Sequence, residues 1–117
     1  MKRLLLFTLI SLFSIACAQG SELDYKNIFS SDSVIIDVRT PEEFDSGHLD
    51  GAINIPYEEI RAKIKEAVPD KKKTVTVYCR SGNRSSAAQK TLKSMGYENV
   101  INGGAYGTLK KKQAEFK

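Results

Sequence analysis

One segment of the chain combines a nucleophile with a polar cradle: Cys79-Arg80-Ser81-Gly82-Asn83-Arg84-Ser85. The residues before it, Thr74 to Tyr78, are rich in β-branched side chains and predict a strand. A helix is expected to begin near Arg84 or Ser85. Cys79 then sits at the carboxyl end of a strand, where open α/β sheets gather their ligands. A helix start brings unpaired N–H groups and a positive partial charge. Gly82 lets the loop turn so that successive N–H groups converge on one point. Arg80 and Arg84 add formal positive charge. All of these favour a thiolate over a thiol, so Cys79 is expected to have a depressed pKa and to be nucleophilic without a general base. The same cradle suits an anion held by its oxygens. Two reaction classes fit: sulfur transfer through a cysteine persulfide, and phosphate or arsenate transfer through a thiol adduct. An inert Cys packed as a small hydrophobe is the bland alternative, and it leaves the polar loop without a purpose.

The flanking pattern supplies the scaffold. Leu23 to Phe29 suits one or two helical turns, and Val34-Ile35-Ile36 reads as a buried strand. Thr40-Pro41-Glu42-Glu43 is a helix start, with Thr as N-cap and Pro at the first helical position. Gly47 and Gly51 mark turns, and Ala52 to Ile55 is a second strand stopped by Pro56. Tyr57, Ile60, Ile64, Ala67 and Val68 recur at helical spacing and predict an amphipathic helix over 57–68. After the Thr74–Tyr78 strand comes a helix over 84–95, with Ala87, Ala88, Thr91, Leu92 and Met95 on one face. Asn99 to Ile101 is a fourth strand, and Gly103-Gly104 is expected to turn the chain into a last basic helix. Strands alternating with helices predict an α/β fold: a mostly parallel central sheet of four to five strands with helices on both faces.

The chain has 117 residues, one His and a net charge of +4, with 41% hydrophobic and 27% charged residues. That composition fits a folded domain and excludes a disordered chain or a protein living mainly in a bilayer. Aromatic residues make up 9% and Trp is absent, which argues against a stacking platform for nucleic acid. Two Cys cannot form a disulfide scaffold, and without a His/Cys cluster no metal site is expected. Residues 1–18 read as a secretion signal: a basic start, an apolar run from Leu4 to Ile15, then small residues. Ala16-Cys17-Ala18 fits a cut before Gln19. Alternatively, Ser14-Ile15-Ala16-Cys17 resembles a bacterial lipoprotein box, with a cut before Cys17 and a lipid on its sulfur. Residues 19–32 read as a leader and 33–117 as one domain. Losing Lys2 and Arg3 lowers the charge by two, and no nucleic-acid partner is expected. The expectation is an exported monomer, periplasmic or held to the periplasmic side of a membrane only through a lipid on Cys17. Cys79 is then the lone free thiol of an oxidising compartment.

Asp37-Val38-Arg39, Pro41-Glu42-Glu43-Phe44, Gly47-His48-Leu49, Gly51-Ala52-Ile53-Asn54-Ile55-Pro56 and Tyr78 to Ser85 resemble the motifs of a rhodanese domain. The resemblance covers roughly Ser33 to Gly104 and is strongest with single-domain secreted members. It implies a small three-layer α/β fold and a persulfide on Cys79, cradled by N–H groups from Arg80, Ser81, Gly82, Asn83, Arg84 and Ser85. Phosphatases of this fold have a loop one residue longer, so the shorter loop here favours sulfur over phosphate. The resemblance also implies a small anionic donor such as thiosulfate, and cyanide, a thiol or a protein as sulfur acceptor. No cofactor is implied. Asp37 is expected to support the loop by pairing Arg84, and Arg39 to make a structural salt bridge. His48 is expected to be a turn residue, and Tyr106 to stand in for the aromatic wall that follows the family's closing Gly-Gly.

Overall fold

The computed structural model describes residues 23–117. The export and lipidation readings of residues 1–18 lie outside the described residues.

Four strands form one parallel sheet in the order β2-β1-β3-β4: β1 is Ser33–Asp37, β2 Ile53–Asn54, β3 Thr74–Cys79 and β4 Asn99–Ala105. The helices are α1 (Tyr25–Ile28), α2 (Pro41–Asp45), α3 (Ile60–Ala67, entered through a 3₁₀ turn at Tyr57–Glu59), α4 (Asn83–Ser94) and α5 (Tyr106–Glu115). The expected parallel sheet with helices on both faces is therefore observed.

The central strands β1 and β3 are apolar on both faces because both are covered. Side chains alternate along β3, so Val75, Val77 and Cys79 face one side and Thr76 and Tyr78 the other. The first side packs Ile36, Val38, Ile60, Ile64, Ala88 and Leu92 under α3 and α4. The second packs Ile28, Ile35, Leu49 and Leu109 under α1 and α5. Ile28, from the stretch read as a leader, is fully buried there. On α4 Ala88 and Leu92 point inward as expected and Met95 packs beside them, but the stripe shifts at its start: Ala87 is exposed and Ser85 points inward. That shift places a hydroxyl beneath the loop of Cys79.

The expected turn at Gly103-Gly104 is instead part of β4, which runs on to Ala105. Pairing steps from Val77↔Asn102 to Tyr78↔Gly104, so Gly103 is the extra residue of a β-bulge. A Cβ on Gly103 would lie 3.0 Å from both Leu109 Cδ1 and Thr76 Cγ2. Only glycine admits that close approach, and Asn102, just before the bulge, lies on the face that Val100 shares with α4 and reaches Ser85.

Thr76 Oγ1 is buried with no hydrogen-bond partner among the described residues. Thr76→Val replaces that orphaned hydroxyl by a methyl of the same shape. It is expected to stabilise the fold by about 1 kcal/mol, read as a higher urea midpoint at unchanged slope.

Candidate active site

β3 carries Cys79 to the carboxyl edge of the sheet, and Arg80, Ser81 and Gly82 turn the chain into α4. Gly82 is the N-cap of α4, at φ +106°, and among the described residues no side chain caps this end. The first-turn N–H groups of α4 therefore remain available to the loop. The Gly82 N–H donates to Cys79 Sγ at 2.9 Å, and Ser85 Oγ lies 3.6 Å from the sulfur. Cys79 is 1% exposed. Burial pushes its thiol up, but hydrogen bonds from the Ser85 hydroxyl and the Ser85, Gly82 and Ser81 N–H groups outweigh burial and hold it below the ordinary thiol value. The expected direction is thus present, through hydrogen bonding from the loop rather than free positive charge.

The two loop arginines are not free. Arg84 grips Glu43 of α2 with two bonds, 2.7 Å to Oε1 and 3.1 Å to Oε2. Arg80, its side chain 76% exposed, lies 3.7 Å from the same carboxylate. Glu43 also closes the capping box of α2: its Oε1 accepts from the Thr40 N–H at 3.0 Å, and its own N–H donates to Thr40 Oγ1. The Arg84 and Thr40 bonds hold the Glu43 carboxyl down at about 2. The Thr-Pro-Glu-Glu motif pointed to Glu43 only as a helix-start residue. Its grip on the loop spans 41 positions and leaves no local signal.

Asp37 does not pair with Arg84. Arg39 takes its carboxylate instead, through Nε at 2.9 and 3.1 Å and NH2 at 2.6 Å, and both side chains are buried. The physical reason is strand alternation: Asp37 shares its face with Tyr78, opposite the face of Cys79. The Tyr78 hydroxyl donates to Asp37 Oδ2 at 2.9 Å and accepts from the Leu49 N–H at 3.0 Å. Burial pushes the Tyr78 phenol up, and the hydrogen bond to Asp37 raises Arg39. The expected structural salt bridge of Arg39 is present, with Asp37 as its partner.

Tyr106 turns inward rather than walling the loop. It stacks on Tyr78 at 5.9 Å and lies under the Arg39 guanidinium at 4.5 Å. A groove of ≈ 610 Å³ beside the loop is lined instead by Arg80, Gly107, Thr108 and Lys111 among others. His48 keeps the turn role expected of it, with Nδ1 2.8 Å from the Phe44 carbonyl and its ring stacked on Phe44. Ser81 and Asn83 are exposed. Asn102, which the sequence reading missed, reaches Ser85 Oγ at 2.7 Å.

A cysteine at a strand end, cradled by N–H groups before an uncapped helix, can hold and use an anionic sulfur. The model of the rhodanese-like domain matches residues 22–108. The chain belongs to the rhodanese family. It is 51% identical over 69 residues to the thiosulfate sulfurtransferase PspE of Escherichia coli, covering 59% of this chain and 66% of that relative. It is 35% identical over 68 residues to a putative sulfur carrier protein, YrkF, of Bacillus subtilis, covering 58% of this chain and 36% of that one. A solved rhodanese with anions from E. coli superposes with a TM-score of 0.63 at 47% identity, over 64% of this chain and 88% of that chain. The rhodanese chain described here thus spans under two thirds of the length of these curated relatives.

Proposed function

We propose that this rhodanese is a sulfurtransferase that moves sulfane sulfur from thiosulfate or a similar donor to cyanide or a thiol, through a persulfide on Cys79. The observation that carries this reading is the Gly82 N–H at 2.9 Å from a buried Sγ, beneath the uncapped start of α4. The Cys79 thiolate attacks the outer sulfur of thiosulfate. A new S–S bond forms to Sγ, the original S–S bond breaks, and sulfite leaves with the bonding pair. The persulfide anion takes the loop N–H groups. An incoming thiolate or cyanide then removes the outer sulfur and restores the Cys79 thiolate. Arg80, at the exposed rim, guides the anion, and Glu43 holds Arg80 and Arg84 at the rim.

The short loop supports sulfur over phosphate, because it closes round a single atom. The name of the B. subtilis relative favours a second reading, a persulfide carrier whose partner protein takes the sulfur. The proposal includes export: the basic start and apolar run of residues 1–18 support a periplasmic place or an anchor on Cys17.

Intact mass before and after thiosulfate tests the chemistry. The chain is expected to gain about 32 Da, cyanide to remove it, and Cys79→Ala to show no gain. Rapid turnover with small donors separates the enzyme from the carrier. No adduct, with inhibition by vanadate or arsenate, would indicate a phosphatase or arsenate reductase.

A further inference from the structure

β4 delivers to the loop, just before its bulge, a side chain that the sulfur chemistry above does not use. Ser85 Oγ lies 2.7 Å from Asn102 Oδ1, 3.0 Å from the Gly82 carbonyl oxygen and 3.6 Å from Cys79 Sγ. The Gly104 N–H donates to the same Oδ1 at 3.0 Å, so the amide presents its oxygen to Ser85. A hydroxyl has one proton to give, and this one has three acceptors in reach. Asn102 is the nearest. While the sulfur is a thiol, the order is a chain: Cys79 S–H donates to Ser85 Oγ, and Ser85 O–H donates to Asn102 Oδ1. A sulfur anion instead needs the Ser85 proton itself, and the hydroxyl can supply it only by turning away from Asn102.

We propose that Asn102 is a positioning residue that sets the thiol–thiolate balance of Cys79 through the Ser85 hydroxyl. On deprotonation the Cys79 proton goes to solvent, while Ser85 keeps its own proton and rotates. The Asn102 bond opposes that rotation and holds the resting enzyme towards the thiol. Oxidation follows thiolate character, so this restraint protects the sulfur between turnovers. That catalytic meaning rests on the persulfide reading; the proton balance itself does not.

Other charges near the loop are Arg80 and Arg84, both on Glu43 of α2, and Lys111, Lys112 and Glu115 of α5 in the groove beside Arg80. The Asp37–Arg39 pair of the β1 edge lies on the opposite face of the sheet. α3 turns Ile60 and Ile64 to the core, and β4 carries no charged residue between Asn99 and Ala105. All of these stay constant across the variants below.

The test is the pH dependence of iodoacetamide alkylation of the full chain, read on the Cys79 peptide by mass spectrometry so that Cys17 does not contribute. Asn102→Ala is expected to lower the alkylation midpoint by about half to one pH unit, roughly 3–10-fold more thiolate at a fixed pH below it. In a Ser85→Ala background the same substitution should move nothing. Asn102→Asp keeps the oxygen that accepts from Gly104 and should raise the midpoint further with Ser85 present than without it. Equal shifts in both backgrounds, or no shift with Ser85 present, would overturn the proposal. Because no sulfur donor enters this assay, its failure is distinct from the absence of a thiosulfate adduct.

Discussion

Arg39→Ala is expected to cost about 3–5 kcal/mol of folding stability, because it strands a buried carboxylate. Asp37 is 0% exposed and has Arg39 on both of its oxygens. Among the described residues, removing the guanidinium leaves only the Tyr78 hydroxyl and the residue-39 backbone N–H as donors to it. The same guanidinium donates to the Gly47 carbonyl at 2.7 Å and lies against Tyr106 and Tyr78, so packing is lost as well. A small domain commonly has only about 5–15 kcal/mol in total, so the change takes a large share. Urea unfolding reads it directly. Arg39→Lys should recover only part, since an ammonium cannot reproduce the two-pronged contact. A loss below about 1 kcal/mol would mean that Asp37 is not left uncompensated.

Gly82→Ala is expected to slow sulfur loading from thiosulfate by about 10²–10³, the usual effect of losing one aimed donor at a developing charge. Crowding is not the cause: an added Cβ would lie 3.7 Å from Gly104 Cα, an ordinary contact. The cause is φ +106°, which a side-chain-bearing residue leaves at the expense of the 2.9 Å N–H···S bond. That bond stabilises the thiolate, so losing it raises the thiol pKa. The loading rate of the unmodified chain should rise with pH and level off below the value of an ordinary cysteine, since its thiol is lowered. In Gly82→Ala the rise should move to higher pH. An unchanged profile at unchanged rate would show that the Gly82 N–H is not a catalytic donor.

The amino-acid sequence by itself determined the chemistry-bearing loop and the order of elements. A β-branched strand, a Cys, a glycine turn and a helix start are local patterns, and local patterns dictate backbone geometry over a few residues. Thr40, Pro41 and Glu43 likewise announced the capping box of α2. The tertiary structure alone decided who pairs with whom. Asp37 takes Arg39 rather than Arg84 because side-chain alternation sends it to the face opposite Cys79. Glu43 takes Arg84 because α2 and the start of α4 meet at the same end of the sheet. Gly103-Gly104 became a bulge rather than a turn because β4 continues alongside β3 to Ala105. The Glu43–Arg84 pair and the Gly103 bulge both depend on segments brought together from distant parts of the chain, and pairing across such distances follows from sheet register and packing rather than from neighbours in sequence.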